Sequence, residues 1–323
     1  MMATIIAELC QNHNGDKKLL SEMISAAAEA GADYVKVQSM LASEITYRKR
    51  FEEGVVDSEG VRQSIFRPYQ AEVDRLAPMD LSDDDFKWFI AECKTVGVEP
   101  MTTIFTRQRI PFLSSLGMKA VKVASYDCGA HQLIQDLRDN FDHLIVSTGA
   151  SYNHEIEKTA DILKGTSYDL LHCVTIYPTP MEELHLNRMN YLRQFTSSVG
   201  FSDHSLVARD GIDASILALG QGAEVIERHF TIQDSKSSRD GPVSINLKEL
   251  KHLVEFGKMS SEEIMDYVHK NIPNWKVGLG QEQRDMSPEE LLNRDYYSGR
   301  FASILEGKPV YNWETDWKLE ELV

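Results

Sequence analysis

The sequence predicts a closed parallel (β/α)8 TIM barrel followed by a C-terminal extension, and three observations lead there. Short β-rich runs alternate with amphipathic helical segments as far as about residue 260, in about eight pairs, and such alternation implies parallel strands. The 323 residues hold one barrel of roughly 250 residues with room for an extension. Reactive side chains stand at nearly every strand's C-terminal end, where a barrel builds its site; an open doubly wound sheet would gather them at one crevice.

The first strand is expected over Thr4 to Leu9 and carries Glu8 near its end. In the helix that follows, Leu20, Met23, Ile24 and Ala27 recur at helical spacing, and Gly31 stands where a left-handed cap would close it. The second strand, Tyr34 to Gln38, brings Lys36 and Gln38. From about Ala42 to Met79 the repeat is broken by a long charged stretch, including Tyr47-Arg48-Lys49-Arg50-Phe51-Glu52-Glu53, read as an excursion near the site or a subunit contact. Ser82-x-x-Asp85 is a capping box ahead of Phe86, Phe89, Ile90 and Cys93. Strands three to six are expected at Glu99 to Thr103, Ala120 to Val123, His143 to Ser147 and Leu170 to Cys173. The seventh, Val199 to Phe201, leads through a helix with Ile212, Ile216 and Leu219, closed before Gly220, to the eighth at Val225 to Phe230. Beyond about Ser260 the pattern lapses into a polar stretch in which Trp275, Trp313 and Trp317 are aromatic anchors for docking. The expected division is a barrel over 1–260 and an extension over 261–323.

Composition narrows the partners. Hydrophobic residues make up 42% and charged residues 26%, the balance of a soluble protein able to bury a core. A net charge of -16 and a pI near 5.1 repel polyanions, which argues against nucleic acid or an anionic membrane; a phosphorylated ligand then needs a local cationic pocket. Met1 to Leu9 has no basic region or cleavage site, and Ile5 to Ala7 is too short an apolar run to span a bilayer, so a cytoplasmic location is expected. Cys10, Cys93, Cys128 and Cys173 form no C-x-x-C pair and are read as reduced thiols. Gly278-x-Gly280 lacks the third glycine and the preceding strand of a dinucleotide fingerprint, and neither G-x-S-x-G nor H-E-x-x-H occurs.

Lys36 and Lys122 lie inside apolar strand sequence, where an ammonium is costly to bury unless an anion meets it. Period two puts Lys36 and Gln38 on one face, inward in a barrel. Taken singly, such a lysine reads equally as half of an internal salt bridge with Glu8 or Glu227; with Ser125, Ser147 and Ser202 at strand ends, the set suits a ligand bearing phosphate and carboxylate. His204 and His229 end the seventh and eighth strands, roughly 5 Å apart at that edge, so two imidazoles can share an ion. Two nitrogen ligands leave positions for water and substrate oxygen, a Lewis-acid arrangement that suits manganese or magnesium. Glu8, Asp127 and Asp240 are the candidates for proton transfer, each otherwise a solvated carboxylate or a lysine's partner.

Together these residues resemble a family. Ile5-Ile6-Ala7-Glu8, Asn12-His13-Asn14-Gly15-Asp16, Gly31-Ala32-Asp33 leading to Lys36 and Gln38, Lys122-Val123-Ala124-Ser125 and Ser147-Thr148-Gly149 are similar to the N-acetylneuraminate (sialic acid) synthases. The likeness continues in order through His172-Cys173, Tyr177-Pro178-Thr179-Pro180, Gly200-Phe201-Ser202-Asp203-His204 and Glu227-Arg228-His229-Phe230-Thr231, covering about residues 3–255. It implies a cytoplasmic, dimeric barrel enzyme that condenses phosphoenolpyruvate with the open aldehyde of an N-acetylated hexosamine, such as N-acetylmannosamine or a diacetamido-trideoxyhexose, giving a sialic-acid-like nonulosonic acid and phosphate by C–O cleavage. By the same resemblance His204 and His229 hold Mn2+ or Mg2+, Lys36, Lys122, Ser125, Ser147 and Ser202 hold phosphoenolpyruvate, Gln38, Tyr177 and Asp240 meet the sugar, Thr175 stands at a substrate-binding position, and Glu8 with Asp127 manages protons.

The chain departs from the pattern at several points. Tyr126-Asp127 stands where the family has Gly-Glu, Thr175 where asparagine is common, and Asp240-Gly241-Pro242 where Gly-Pro-Asp is usual. The family's antifreeze-like domain, which reaches into the partner's site, is matched only by Asn293-Arg294-Asp295-Tyr296-Tyr297 and a short tail, with Arg300 as the candidate for its lid arginine. Two rival readings use the same residues: a sugar-binding or scaffold relative without turnover, and another metal-dependent barrel aldolase or isomerase. Dependence on phosphoenolpyruvate separates the second from a synthase, and product formation separates the first.

Overall fold

The computed structural model describes residues 2–311. Eight parallel strands close into a barrel: β1 Thr4–Glu8, β2 Tyr34–Ser39, β3 Glu99–Ile104, β4 Val121–Val123, β5 His143–Ser147, β6 Ser167–Cys173, β7 Val199–Asp203 and β8 Val225–His229. Each pairs with its neighbours in the chain, and β8 closes on β1. All eight expected strands are present; His143–Ser147 has its expected ends and the others differ by one to three residues at one end.

Register decides what the interior holds. Ile6, Met101, Ala120, Ile145, Leu171 and Val225 pack across the barrel as one apolar floor. Two residues further along their strands, period two returns to the interior with Glu8, Thr103, Lys122, Ser147, Cys173 and Glu227. The floor thus excludes water from below while the polar layer opens upward. Gly200 pairs with Leu171 in this floor, and a Cβ there would lie 2.1 Å from the carbonyl oxygen of Val225. Backbone cannot give way, so Gly200→Ala is expected to cost about 1–3 kcal/mol in chemical denaturation. An unchanged denaturation midpoint would show that the floor repacks.

The helices cover the barrel as their spacing requires. Helix α1, Lys17–Ala30, buries Leu20, Met23, Ile24 and Ala27 and ends at Gly31 with φ 87°. Helix α2, Asp83–Val96, starts on the Ser82/Asp85 capping box and buries Phe86, Phe89, Ile90 and Cys93. Helices α3 His131–Asn140 and α4 Asn153–Leu163 follow β4 and β5. Helix α5, Asp213–Gly220, runs through Gly220 instead of stopping before it. The reason is packing: a Cβ on Gly220 would come within 2.6 Å of Met265 Sδ in helix α7, Ser261–Asn271. Helix α6, Leu247–Gly257, covers β1 and α1.

Beyond residue 260, the polar composition contains two amphipathic helices. Helix α7 buries Ile264 and Val268 against the barrel's helix layer. Helix α8, Pro288–Tyr297, is drawn onto the barrel by Arg294, whose guanidinium donates to Glu155 at 3.0 Å. A hairpin of β9 Ala302–Leu305 and β10 Lys308–Tyr311 follows. Trp275 packs against the core; Trp313 and Trp317 lie outside the described residues. The excursion and the extension hold each other, since Arg48 donates to the carbonyl of Ser298 at 3.1 Å and Arg50 pairs with Asp295 at 2.6 Å. Among the described residues no helix is long and apolar enough to cross a membrane.

Candidate active site

The strand ends open into a cavity of about 500 Å³. Its floor is a charged cluster placed by β1, β2, β4 and β8, since Glu8 pairs in register with Lys36 and the neighbouring strands bring Lys122 and Glu227. Lys36 is ion-paired with Glu8, lies 3.6 Å from Glu227 and donates to Thr103 Oγ1 at 2.8 Å. The lysine is therefore half of an internal salt bridge, and it also faces the cavity. Lys122 donates to Ser147 Oγ at 2.5 Å and to the carbonyl of Val123 at 2.7 Å. Ser202 Oγ donates to Glu227 Oε1 at 2.9 Å.

The electrostatics follow from this crowding. Burial pulls the Lys36 ammonium down to about 8, with Glu227 opposing that fall and Lys122 adding to it. Lys122 is likewise lowered, by burial first. For Glu227, burial alone would raise the carboxyl; Lys122 and Lys36 outweigh it and hold the group at about 2. Two ammonium groups and two carboxylates thus balance inside a polar layer that water reaches only from above, an arrangement poised to exchange partners with an incoming anion.

His204 and His229 meet at the rim, their ring centroids 5.3 Å apart. Desolvation, reinforced by His229, drives the His204 imidazole well below its usual range, and burial lowers His229 as well. Both rings are therefore neutral, the form that ligates metal. His229 Nδ1 is buried with no hydrogen-bond partner. Its ligand atom also lies within 4.8 Å of Cys10 Sγ and of an Asp240 carboxylate oxygen. The Cys10 thiol donates to Asp240 at 3.0 Å, and burial followed by that carboxylate pushes it well above its ordinary value. Cys10 reaches this position through a left-handed φ of 46°, unusual for a residue with a side chain. A ring nitrogen of His229, a thiol and a carboxylate in so small a volume fit a divalent cation.

Gln38, Ser125, Asp127 and Tyr177 also line the cavity, so of the residues singled out by sequence only Thr175 does not. Thr175 is fully buried, and its carbonyl accepts from Asn293 Nδ2 at 2.7 Å. Asn293 lines the cavity from α8, so the structure places Thr175, expected at a substrate-binding position, behind Asn293 and outside the cavity lining. Tyr126 stacks on Tyr297 with centroids 4.6 Å apart, and the extension thereby forms one wall. Arg228 and Asp203 sit in the same strand-end segments as His229 and Ser202. They face away from the cavity and pair with each other at 2.6 Å, fully buried.

Sequence reasoning gave Glu227 only as a salt-bridge partner for Lys36 and not as a site residue, although it stands two positions before His229 and period two carries that signal. It read Cys10 only as a reduced thiol, and gave no role to Arg67 and Arg239, which line the cavity from loops, or to Arg75, which lines it from the short helix Tyr69–Leu76.

Comparison with known proteins agrees with this architecture. The sequence model of the NeuB family matches residues 23–268. The chain is 35% identical over 263 residues to the N,N'-diacetyllegionaminic acid synthase of Legionella pneumophila, covering 79% of this chain and 71% of that one. It is 27% identical over 308 residues to a pseudaminic acid synthase of Campylobacter jejuni, covering 93% and 81%. Among solved structures it is similar to the N-acetylneuraminic acid (sialic acid) synthetase of Leptospira borgpetersenii in complex with citrate, with a TM-score of 0.69, 27% identity, and coverage of 92% of this chain and 91% of that one.

Proposed function

From the premise that this chain belongs to the NeuB family, the sialic-acid and nonulosonate synthases, we propose that it condenses phosphoenolpyruvate with the aldehyde of an N-acetylated hexosamine. The products are a nonulosonic acid and phosphate, and the chain is an enzyme of the transferase type. One observation carries the reading: Lys36, Lys122, Ser147 and Ser202 converge on the same cavity as His204 and His229.

In this reading Lys36 and Lys122 leave their internal partners to hold the phosphate and carboxylate of phosphoenolpyruvate, with Ser125, Ser147 and Ser202 donating hydrogen bonds. The lysines' positive charge is fixed before the reaction, so it stabilises phosphate as it departs with its bridging oxygen. Gln38 and Tyr177 orient the acceptor, whose aldehyde carbon is attacked by C3 of the enol. The aldehyde oxygen gains a proton as that bond forms, and water loses one as it adds at C2; Glu8 and Asp127 are the carboxylates placed to carry them. His229 and His204, with Cys10 and Asp240 beside them, would hold a divalent ion, Mn2+ or Mg2+, which supplies a Lewis acid for the carbonyl.

The direct test follows phosphate release from phosphoenolpyruvate with Mn2+ and a panel of N-acetylhexosamines and diacetamido-trideoxyhexoses, with mass measurement of the product. Inactivity across the panel, beside an active synthase, would sink the reading. A pH profile tests Lys36 separately. Below a pKa of about 8 the free enzyme keeps the cation, and above it the cation is lost, so kcat/KM for phosphoenolpyruvate should fall as pH rises through about 8. A profile flat up to about pH 10 would remove Lys36 from phosphate binding.

A further inference from the structure

We infer that Glu72, a buried carboxylate that does not itself line the cavity, is the positioning residue for the outer half of the site: it fixes four arginine side chains and acts on acceptor binding through them. The inference rests on the synthase reading and adds to it a residue behind the cavity wall.

Arg67, Arg75, Arg239 and Arg300 all line the cavity. They come from three parts of the chain that no barrel strand places: the excursion, with Arg75 in its short helix Tyr69–Leu76, the loop after β8, and the turn after α8. Each pairs with Glu72, at 3.4, 2.9, 3.7 and 2.7 Å in that order. Glu72 lies in that same short helix, buried and outside the cavity lining, so it holds the guanidinium groups from behind. Burial alone would raise its carboxyl; Arg75, Arg300 and Arg239 outweigh burial and hold the group at about 2, so the anchor stays ionised throughout the physiological range.

Net charge is not what this cluster supplies. Asp127, Asp240 and Glu289 line the same cavity, so with Glu72 the four guanidinium groups face four carboxylates. What one shared carboxylate supplies is direction. An arginine has a long flexible stem, and a guanidinium already held by a charge-assisted hydrogen bond presents its remaining donors in one geometry before a ligand arrives. Two of the four also reach the rim: Arg75 donates to Gln11 Oε1 at 2.7 Å, beside Cys10, and Arg239 immediately precedes Asp240. The floor is placed by other means, since Glu8, Lys36, Lys122 and Glu227 stand in register on barrel strands. Loss of Glu72 should therefore reach the acceptor and spare phosphoenolpyruvate.

The test is Glu72→Gln, which keeps the shape of the side chain and removes its charge. The acceptor KM, measured at saturating phosphoenolpyruvate, should rise at least about 10-fold, while phosphoenolpyruvate affinity, titrated by calorimetry without acceptor, stays within about threefold. Glu72→Asp keeps the charge and should recover most of the loss. Arg67→Gln should raise the acceptor KM less, and adding it to Glu72→Gln should change little further, because both remove the same link. An acceptor KM within about twofold of the parent would overturn the inference, and so would a parallel loss of phosphoenolpyruvate affinity that Glu72→Asp fails to recover. Arg67 and Arg239 are partly exposed, so their glutamine variants serve if Glu72→Gln does not fold: an unmoved acceptor KM in both would overturn the inference as well. A parent protein inactive on every acceptor would defeat the synthase reading instead. Hydrogen exchange across residues 65–79 and 232–241 then decides the role of Glu72: exchange faster on the order of 10-fold in Glu72→Gln supports it, and unchanged exchange overturns it.

Discussion

Replacing Lys122 with methionine should lower kcat/KM for phosphoenolpyruvate on the order of 1000-fold, while thermal unfolding shifts far less than loss of folding would require. Methionine keeps the length of the stem in a site that is 2% exposed, so the change removes charge more than volume. What is lost is the donor to Ser147 and the ammonium that acts most strongly on Glu227 after burial. The floor then holds two carboxylates against Lys36 alone, and an incoming phosphate meets net negative charge where it had met balance. The Glu227 carboxyl should rise from about 2 in the variant, because its largest lowering influence is gone. Steady-state kinetics against phosphoenolpyruvate, with circular dichroism as the check on folding, decides the matter. A loss of less than about threefold would take Lys122 out of the phosphate site.

How much of this could be read without coordinates differs by element, for physical reasons. The strands were legible because period two and apolar composition are local, and the strand-end residues followed from barrel geometry. Glu227 carried the same signal as His229, yet as a possible partner of Lys36 it reads as half of a salt bridge and not as part of a site; the neighbouring Arg228 faces the other way and takes Asp203. Helix α5 runs one residue past the end that a capping Gly220 predicts, because the glycine's lack of a side chain serves the contact with α7. The gathering of arginines on Glu72 was beyond reach. Arg67, Arg239 and Arg300 belong to segments without a repeating pattern, Arg75 to a short helix in the excursion, and only tertiary packing around Glu72 brings them together. Thr175 marks the converse limit: a residue at a strand end can serve a packing partner, here the Asn293 side chain that its carbonyl accepts from.

His229 should be the residue whose loss costs the most. Both descriptions of the ion site include it: the pair with His204 expected from adjacent strand ends, and the cluster with Cys10 and Asp240 found at the rim. His229→Ala removes the buried imidazole whose Nδ1 has no other partner, so its role toward a cation has no substitute among the described residues of that cluster. Bound Mn2+, measured by mass spectrometry after gel filtration, should drop by at least on the order of 100-fold in affinity, and turnover should fall with it. The neighbours then separate the two ligand sets. If His204 is the second ligand, His204→Ala should weaken Mn2+ nearly as much, and Cys10→Ser should leave affinity within about 10-fold. If the Cys10 and Asp240 side dominates, the order reverses, and the Co2+-loaded protein should show a thiolate-to-metal absorption band that Cys10→Ser abolishes. Metal affinity and turnover both unchanged in His229→Ala would move the ion away from this rim altogether, since no other residue is common to the two arrangements.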